Sequence, residues 1–257
     1  MPETRLSTWA GADAGADGRG VGRARTEHQN RIFVNDSSQS LDFSSLRYIV
    51  VEGPIGVGKT SLARRLAATL NSELLLEEAD ENPFLQQFYR NRRQAALPTQ
   101  LYFLLQRARQ MEQFRHHDMF AGAKVADYLL DKDRLFAELN LNANELELYN
   151  QVAQTLELDP PRPDLVIYLQ APAPVLMKRV ASRGLAYEQL IDETYLESLG
   201  EAYARFFYDF DRSPLLIVNA EAIDPIQRES DYEELLRTIG RVKRGRHFFN
   251  PTAGAIA

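Results

Sequence analysis

The chain has 257 residues, 44% of them hydrophobic and 26% charged, with a formal net charge of −6. This is enough for one α/β domain with its own core, and no basic field points to nucleic acid as a partner. The absence of cysteine excludes disulfides, thiolate zinc sites and thiol nucleophiles and suits a reducing cytoplasm; no apolar run approaches the length of a membrane span.

Residues 1–46 differ from the rest. Gly11, Gly15, Gly18, Gly20 and Gly22 alternate with Ala, Asp and Arg, and apolar residues are sparse apart from Ile32-Phe33-Val34. This composition predicts a disordered extension followed by a single domain over 47–257. The extension has no apolar stretch of the kind a secretory signal carries.

The run Arg47–Val51 reads as a buried strand. The segment Gly53-Pro54-Ile55-Gly56-Val57-Gly58-Lys59-Thr60 follows and fits G-x-x-x-x-G-K-[ST], the nucleoside-triphosphate-binding P-loop. Glycines let backbone N–H groups curl around phosphate oxygens, the lysine reaches the β- and γ-phosphates, and the threonine hydroxyl suits Mg²⁺. Helical spacing of apolar residues over Ser61–Leu70 completes the strand, loop, helix order that the motif requires.

Four more runs read as strands: Glu73–Leu76, Ala123–Ala126, Asp164–Leu169 and Leu215–Val218, with helical patterns between them. Alternating β and α elements predict a three-layer α/β/α P-loop fold with a five-stranded parallel sheet. Ligands of such sheets bind at the carboxyl ends of the strands. Glu77 and Asp127 directly follow the second and third strands, so both carboxylates fall on the P-loop's edge.

Asn82–Phe120 reads as helical, with a break at Leu97-Pro98-Thr99 because proline ends or starts helices. Beyond it, Gln100 and Arg107 share one helix face, which fits either a solvated stripe or a polar pocket for a flat ligand. Further on, Arg179 and Arg183 stand four apart near a helix end followed by Gly184, a spacing that fits a phosphate-clamping lid over about 179–190 or an ordinary helix terminus. His116-His117 and the run Arg241, Lys243, Arg244, Arg246 read as solvated polar segments. Apolar helices around Leu101–Leu105 and Leu146–Leu158 exceed what one core needs and are compatible with a homodimer.

These residues together resemble the deoxyribonucleoside kinases, in particular the bacterial deoxyadenosine/deoxyguanosine kinase type, over about residues 47–240. The resemblance implies that Gly53–Thr60 binds ATP and that Glu77, or the adjacent Glu78, is the base that activates the nucleoside 5′-hydroxyl. It assigns Tyr89 to the sugar, Gln100, Arg107 and Asp133 to the nucleobase, and Glu188 to the 3′-hydroxyl. Thr60 and Asp127 would organise Mg²⁺, and Arg179 and Arg183 would close over the phosphates. A cytoplasmic homodimer acting on a small-molecule purine deoxynucleoside, with neither nucleic acid nor membrane as partner, is the implied setting.

The sequence departs from the family pattern twice. Tyr128 and Leu129 stand where Arg and Ser are usual after the third strand, and Leu185 replaces a third lid arginine. Asp127-Tyr128 followed by Lys132-Asp133 is similar to some bacterial members, in which case Lys132 would supply the missing charge. Two competing readings share the P-loop: a nucleoside monophosphate kinase of the thymidylate kinase kind, which needs basic residues for the acceptor phosphate, and a non-catalytic nucleotide-binding subunit.

Overall fold

The computed structural model describes residues 31–33, 40–116 and 122–251. Most of the expected disordered extension, and His117, lie outside the described residues. The part that is described corrects the boundary drawn after residue 46. β1 (Arg31–Phe33) pairs antiparallel with β2 (Ser40–Asp42), and Phe43 and Leu46 join the main core. Leu41 and Phe43 come within 4 Å of where a Cβ on Gly240 would lie, so this segment packs on the last helix.

The remaining elements alternate as the sequence predicts. β3 (Tyr48–Glu52) leads through the P-loop into α1 (Lys59–Leu70), then β4 (Glu73–Leu75), α2 (Leu85–Arg90) and α3 (Arg92–His116). β5 (Lys124–Ala126), α4 (Lys132–Asn140), α5 (Ala143–Thr155), β6 (Leu165–Gln170), α6 (Ala173–Arg183) and α7 (Glu193–Tyr208) follow. β7 (Leu215–Asn219), α8 (Glu229–Arg241) and β8 (Arg246–Phe249) close the described chain. The parallel sheet runs β4-β5-β3-β6-β7-β8. β3 sits in its middle, with Val50 registered against Ala126 on one side and Val166 on the other. Val50, Val51, Val125 and Leu165–Ile167 are fully buried. A parallel sheet covered by helices on both faces needs such continuous apolar strands, each large side chain contributing about 1.5–3 kcal/mol by leaving water.

Two further expectations are corrected. The sheet has six strands, not five. The sixth, β8, is a four-residue edge strand built from the end of the basic run that read as a solvated terminus, and only its Phe249 is buried. Its weak alternation is drowned by the flanking charges. The break at Pro98 is also absent: α3 runs unbroken through it. The proline forgoes one backbone bond, but Ala95 and Ala96 before it and Thr99, Gln100 and Leu104 after it are all buried. Tertiary packing on both sides holds the helix across the missing bond.

Candidate active site

The P-loop owes its shape to two glycines. At Gly53 (φ +151°) a Cβ would lie 2.4 Å from the carbonyl oxygen of Leu169, so the loop runs hard against β6. At Gly56 (φ +82°) it would meet Val180 and Leu176 of α6 at 2.9–3.0 Å. Only glycine fits both the backbone conformation and the space. Lys59 Nζ donates to the carbonyls of Gly53 (2.8 Å) and Pro54 (3.2 Å). Burial, and next the nearby Lys132 charge, push the Lys59 pKa down; Glu52, Glu77 and Asp127 pull the other way.

Thr60 Oγ1 donates to Asp127 Oδ2 at 2.5 Å. The other Asp127 oxygen accepts from the Glu77 backbone N–H at 2.8 Å. Asp127 therefore ties the first turn of α1 to the end of β4, which works because β4 and β3 flank β5 in the sheet. A hydroxyl and a carboxylate are hard oxygen donors of the kind Mg²⁺ takes when phosphates supply the rest of its shell.

The carbonyl edge of the sheet opens into two cavities. One, of about 250 Å³, is lined by Lys59, Thr60, Glu77, Tyr89, Gln100, Arg107, Asp127, Lys132, Arg183 and Glu188. The other, about 740 Å³ and more open, is bordered by the P-loop residues from Gly56 onward, Arg179, Arg183 and the loop Ile223–Gln227. Gly56, Lys59, Thr60, Arg64 and Arg183 border both, so the P-loop forms the wall between them. A largely polar chamber that shares the P-loop as a wall with a phosphate cradle is the layout of a phosphotransferase with separate donor and acceptor pockets.

Glu77 lines the smaller cavity. Its carboxylate pairs with Lys132 Nζ at 2.9 Å through one oxygen and with Arg107 through the other. Burial alone would raise its pKa, but Lys132 and Arg107 overcome that and hold the carboxyl well below the usual carboxylate range. Glu78 is exposed and lines a different groove. Arg107 also contacts Asp133, which stands behind it rather than lining the cavity. Its Nε and the hydroxyl of Thr99 are buried without partners.

Tyr89 stacks on Tyr187 with ring centroids 6.1 Å apart and 8° between planes. Burial, then neighbouring Tyr195 and Glu188, raises the Tyr89 phenol well above its usual value. Arg183 pairs with Glu188 at 3.2 Å, and burial raises the Glu188 carboxyl despite that cation. Arg179 lines the more open cavity beside the P-loop. It donates to the Val57 carbonyl at 3.1 Å and the Ala220 carbonyl at 2.7 Å, fastening the P-loop to the end of β7.

Two residues that the resemblance singled out, Tyr128 and Lys132, and one that it did not, Glu52, complete the site. Tyr128, in the position of a usual arginine, is fully buried and turns away to bond Gln110 at 2.6 Å. Lys132, at the first turn of α4, enters the cavity instead. Glu52, the last residue of β3, is fully buried and accepts from the Gly53 N–H (2.9 Å), the Leu129 N–H (2.6 Å) and the Tyr203 hydroxyl (2.9 Å). A lone acid ending an apolar strand immediately before the P-loop was the available signal for it.

Taken together, the fold and this pair of cavities define a P-loop kinase whose acceptor pocket is built for a compact, partly polar ligand. The family model for deoxynucleoside kinase matches residues 49–242, and the chain belongs to that family. It is 33% identical over 193 residues to the deoxyguanosine kinase of Bacillus subtilis (strain 168), covering 73% of this chain and 93% of that protein. With the deoxyadenosine kinase of Lactobacillus acidophilus it shares 27% identity over 208 residues, 76% of this chain and 95% of the relative. Among solved structures, deoxyadenosine kinase from M. mycoides with bound dATP superposes with a TM-score of 0.64 at 26% identity, over 75% of this chain and 98% of that one.

Proposed function

We propose that the protein transfers the γ-phosphoryl group of ATP to the 5′-hydroxyl of a purine deoxyribonucleoside, deoxyguanosine or deoxyadenosine, in nucleotide salvage. The observation that carries this is the position of Glu77. It lines one cavity with Lys59, Thr60, Asp127, Tyr89, Gln100 and Arg107, its backbone N–H bonded to Asp127 and its carboxylate paired with Arg107 and Lys132. Glu77 accepts the hydroxyl proton. Tyr89 and Glu188 hold the sugar. Gln100 and Arg107, the latter steadied by Asp133, offer donors and an acceptor to the base edge. The named relatives, a deoxyguanosine and a deoxyadenosine kinase, favour a purine.

The P-loop amides of Gly53–Thr60 and Lys59 hold the triphosphate, and Arg183 reaches it from the lid over about 179–190. Arg179 contributes by positioning the loop. Thr60 and Asp127 hold Mg²⁺, which neutralises phosphate charge when bound. The domain spans the described residues from Ser40 onward. The reading places the enzyme in the cytoplasm as a homodimer, and among the described residues no helix is long and apolar enough to cross a membrane.

The test is ATP-dependent phosphorylation of deoxyguanosine, deoxyadenosine, deoxycytidine and thymidine beside dGMP and dTMP, with and without Mg²⁺. Product from a purine deoxynucleoside is expected. Product from a monophosphate alone would move the protein to the monophosphate kinases. ATP binding without any product would make it a nucleotide-binding subunit.

A further inference from the structure

One side of the acceptor cavity is bordered by a bond to which the sugar and base assignments give no task. The chain leaves α6 at Gly184 (φ +72°) and enters α7 at Asp192, which Arg92 holds at 2.7 Å, so the lid is anchored where it ends. Midway, the Tyr187 hydroxyl donates to Asp80 Oδ1 on the short turn Ala79–Glu81 beyond β4. The two residues are 107 apart in sequence, yet both line the cavity beside Tyr89, Arg183 and Glu188. Their bond joins the lid to the carboxyl edge of the sheet. The Tyr187 ring lies flat against that of Tyr89, and Glu188 follows it in the chain, so the bond stands at the end of the cavity assigned to the sugar. Charge is unbalanced there. Asp80 is exposed and, among the described residues, makes no ion pair. Glu188 is buried, pairs with Arg183 through Oε1 and keeps Oε2 without a partner. Burial first, and Asp80 among the nearby charges, raise the Glu188 carboxyl against the pull of Arg183 and Lys59. Packing does not require this arrangement, since a phenylalanine at 187 would make the same stack.

We propose that Asp80 and Tyr187 determine which acceptors the cavity takes: they admit a nucleoside whose 3′-hydroxyl is free and reject one that carries a phosphate ester there. This rests on the kinase reading above, in which Tyr89 and Glu188 hold the sugar. A neutral 3′-hydroxyl leaves the bond closed and can donate to the unpartnered Glu188 Oε2. A 3′-phosphate brings a charge of about −1.5 to −2 at pH 7. It would part the Tyr187 hydroxyl from Asp80 and stand near two carboxylates, with the Arg183 guanidinium as the cation paired at this end. Like charges at close range repel, most strongly where water is thinned out. The separated hydroxyl and carboxylate also lose a charge-assisted bond. Repulsion and groups left unpaired turn away the wrong acceptor without a tighter grip on the right one.

The experiment measures kcat/KM for the best purine deoxynucleoside and for its 3′-monophosphate, whose product is the 3′,5′-bisphosphate, with the full-length wild-type protein, Asp80→Asn and Tyr187→Phe. Asp80→Asn removes the charge and keeps an acceptor oxygen; Tyr187→Phe removes the bond and keeps the ring stack. Expected in wild type is a preference for the free nucleoside of about 10²-fold or more, narrowed about fivefold or more by each variant through better use of the 3′-monophosphate. Either variant falling short of that narrowing would overturn the proposal, and so would no detectable product from the 3′-monophosphate with either. A ratio that narrows only because the nucleoside is used less well would reduce the bond to holding the lid in place and overturn it too. Wild-type protein that uses both acceptors equally would do the same. If Tyr187→Phe does not fold, Asp80→Asn and Asp80→Ser, at an exposed position, decide the same point. Wild-type protein that phosphorylates no deoxynucleoside would fail the kinase reading instead, so the two failures are distinguishable.

Discussion

Glu52 lets the link between fold and site be tested with one substitution. Glu52→Gln keeps shape and volume but replaces one acceptor oxygen by an NH₂ donor. Three donors converge on the native carboxylate: the N–H groups of Gly53 and Leu129 and the Tyr203 hydroxyl. The Gln amide oxygen can serve Gly53 and Tyr203, which share Oε1, leaving the Leu129 N–H facing another donor. Losing a hydrogen bond to a charged group costs about 1.5–3 kcal/mol, and the two retained bonds each weaken by about 1 kcal/mol on becoming neutral. Relief from burying a charge offsets part of this, so the net loss is about 2–4 kcal/mol. That is a large share of the ~5–15 kcal/mol typical of a domain. Urea unfolding monitored by circular dichroism would read it. ATP affinity should fall as well, because Glu52 braces the first P-loop glycine and its charge supports that of Lys59. Unfolding free energy and ATP affinity both within experimental error of wild type would refute the assignment of Glu52 as the brace of the loop.

Arg107→Met should destabilise the protein by about 3 kcal/mol, since it strands the buried Asp133 while Lys132 still pairs with Glu77; it should raise nucleoside KM far more than ATP KM, and equal effects on both would contradict a base-reading role. Gly56→Ala forces a side chain into φ +82° against Val180 and Leu176, so roughly tenfold weaker ATP binding (about 1.4 kcal/mol) is expected by calorimetry with nucleoside binding preserved. Asp192 caps α7 through the Tyr195 N–H at 2.7 Å and meets Arg92. Desolvation opposes ionisation there, but those two partners prevail and hold its pKa below the ordinary value. A depressed folded-state pKa means the stabilisation is present above the unfolded value of about 3.9 and disappears as pH falls through the folded one. Asp192→Ala should therefore cost about 1 kcal/mol at pH 7, and its gap from wild type should narrow below about pH 4 in thermal melts; a gap constant from pH 7 to pH 2 would contradict the capping account.

The sequence alone determined the strand–loop–helix of the P-loop and five of the six strands of the parallel sheet, because those signals are local. An apolar run of four or five residues and glycines spaced for a phosphate cradle need no partner to be recognised. Glu77 and Asp127 were legible for the same reason: Asp127 directly follows β5 and Glu77 lies two residues past the end of β4, and in a parallel sheet that edge is where ligands bind. Only the tertiary structure decided which charges meet. Lys132 and Glu77 are 55 residues apart and Glu52 and Tyr203 are 151 apart; their contacts exist because β5 enters the sheet between β4 and β3, and because α7 packs over the end of β3. It was likewise packing, invisible to propensity, that carried α3 through Pro98 and that drew Phe43 into the core ahead of the expected boundary. Burial rewards the whole assembly and not the local chain, so where a charge is neutralised is settled by which elements become neighbours.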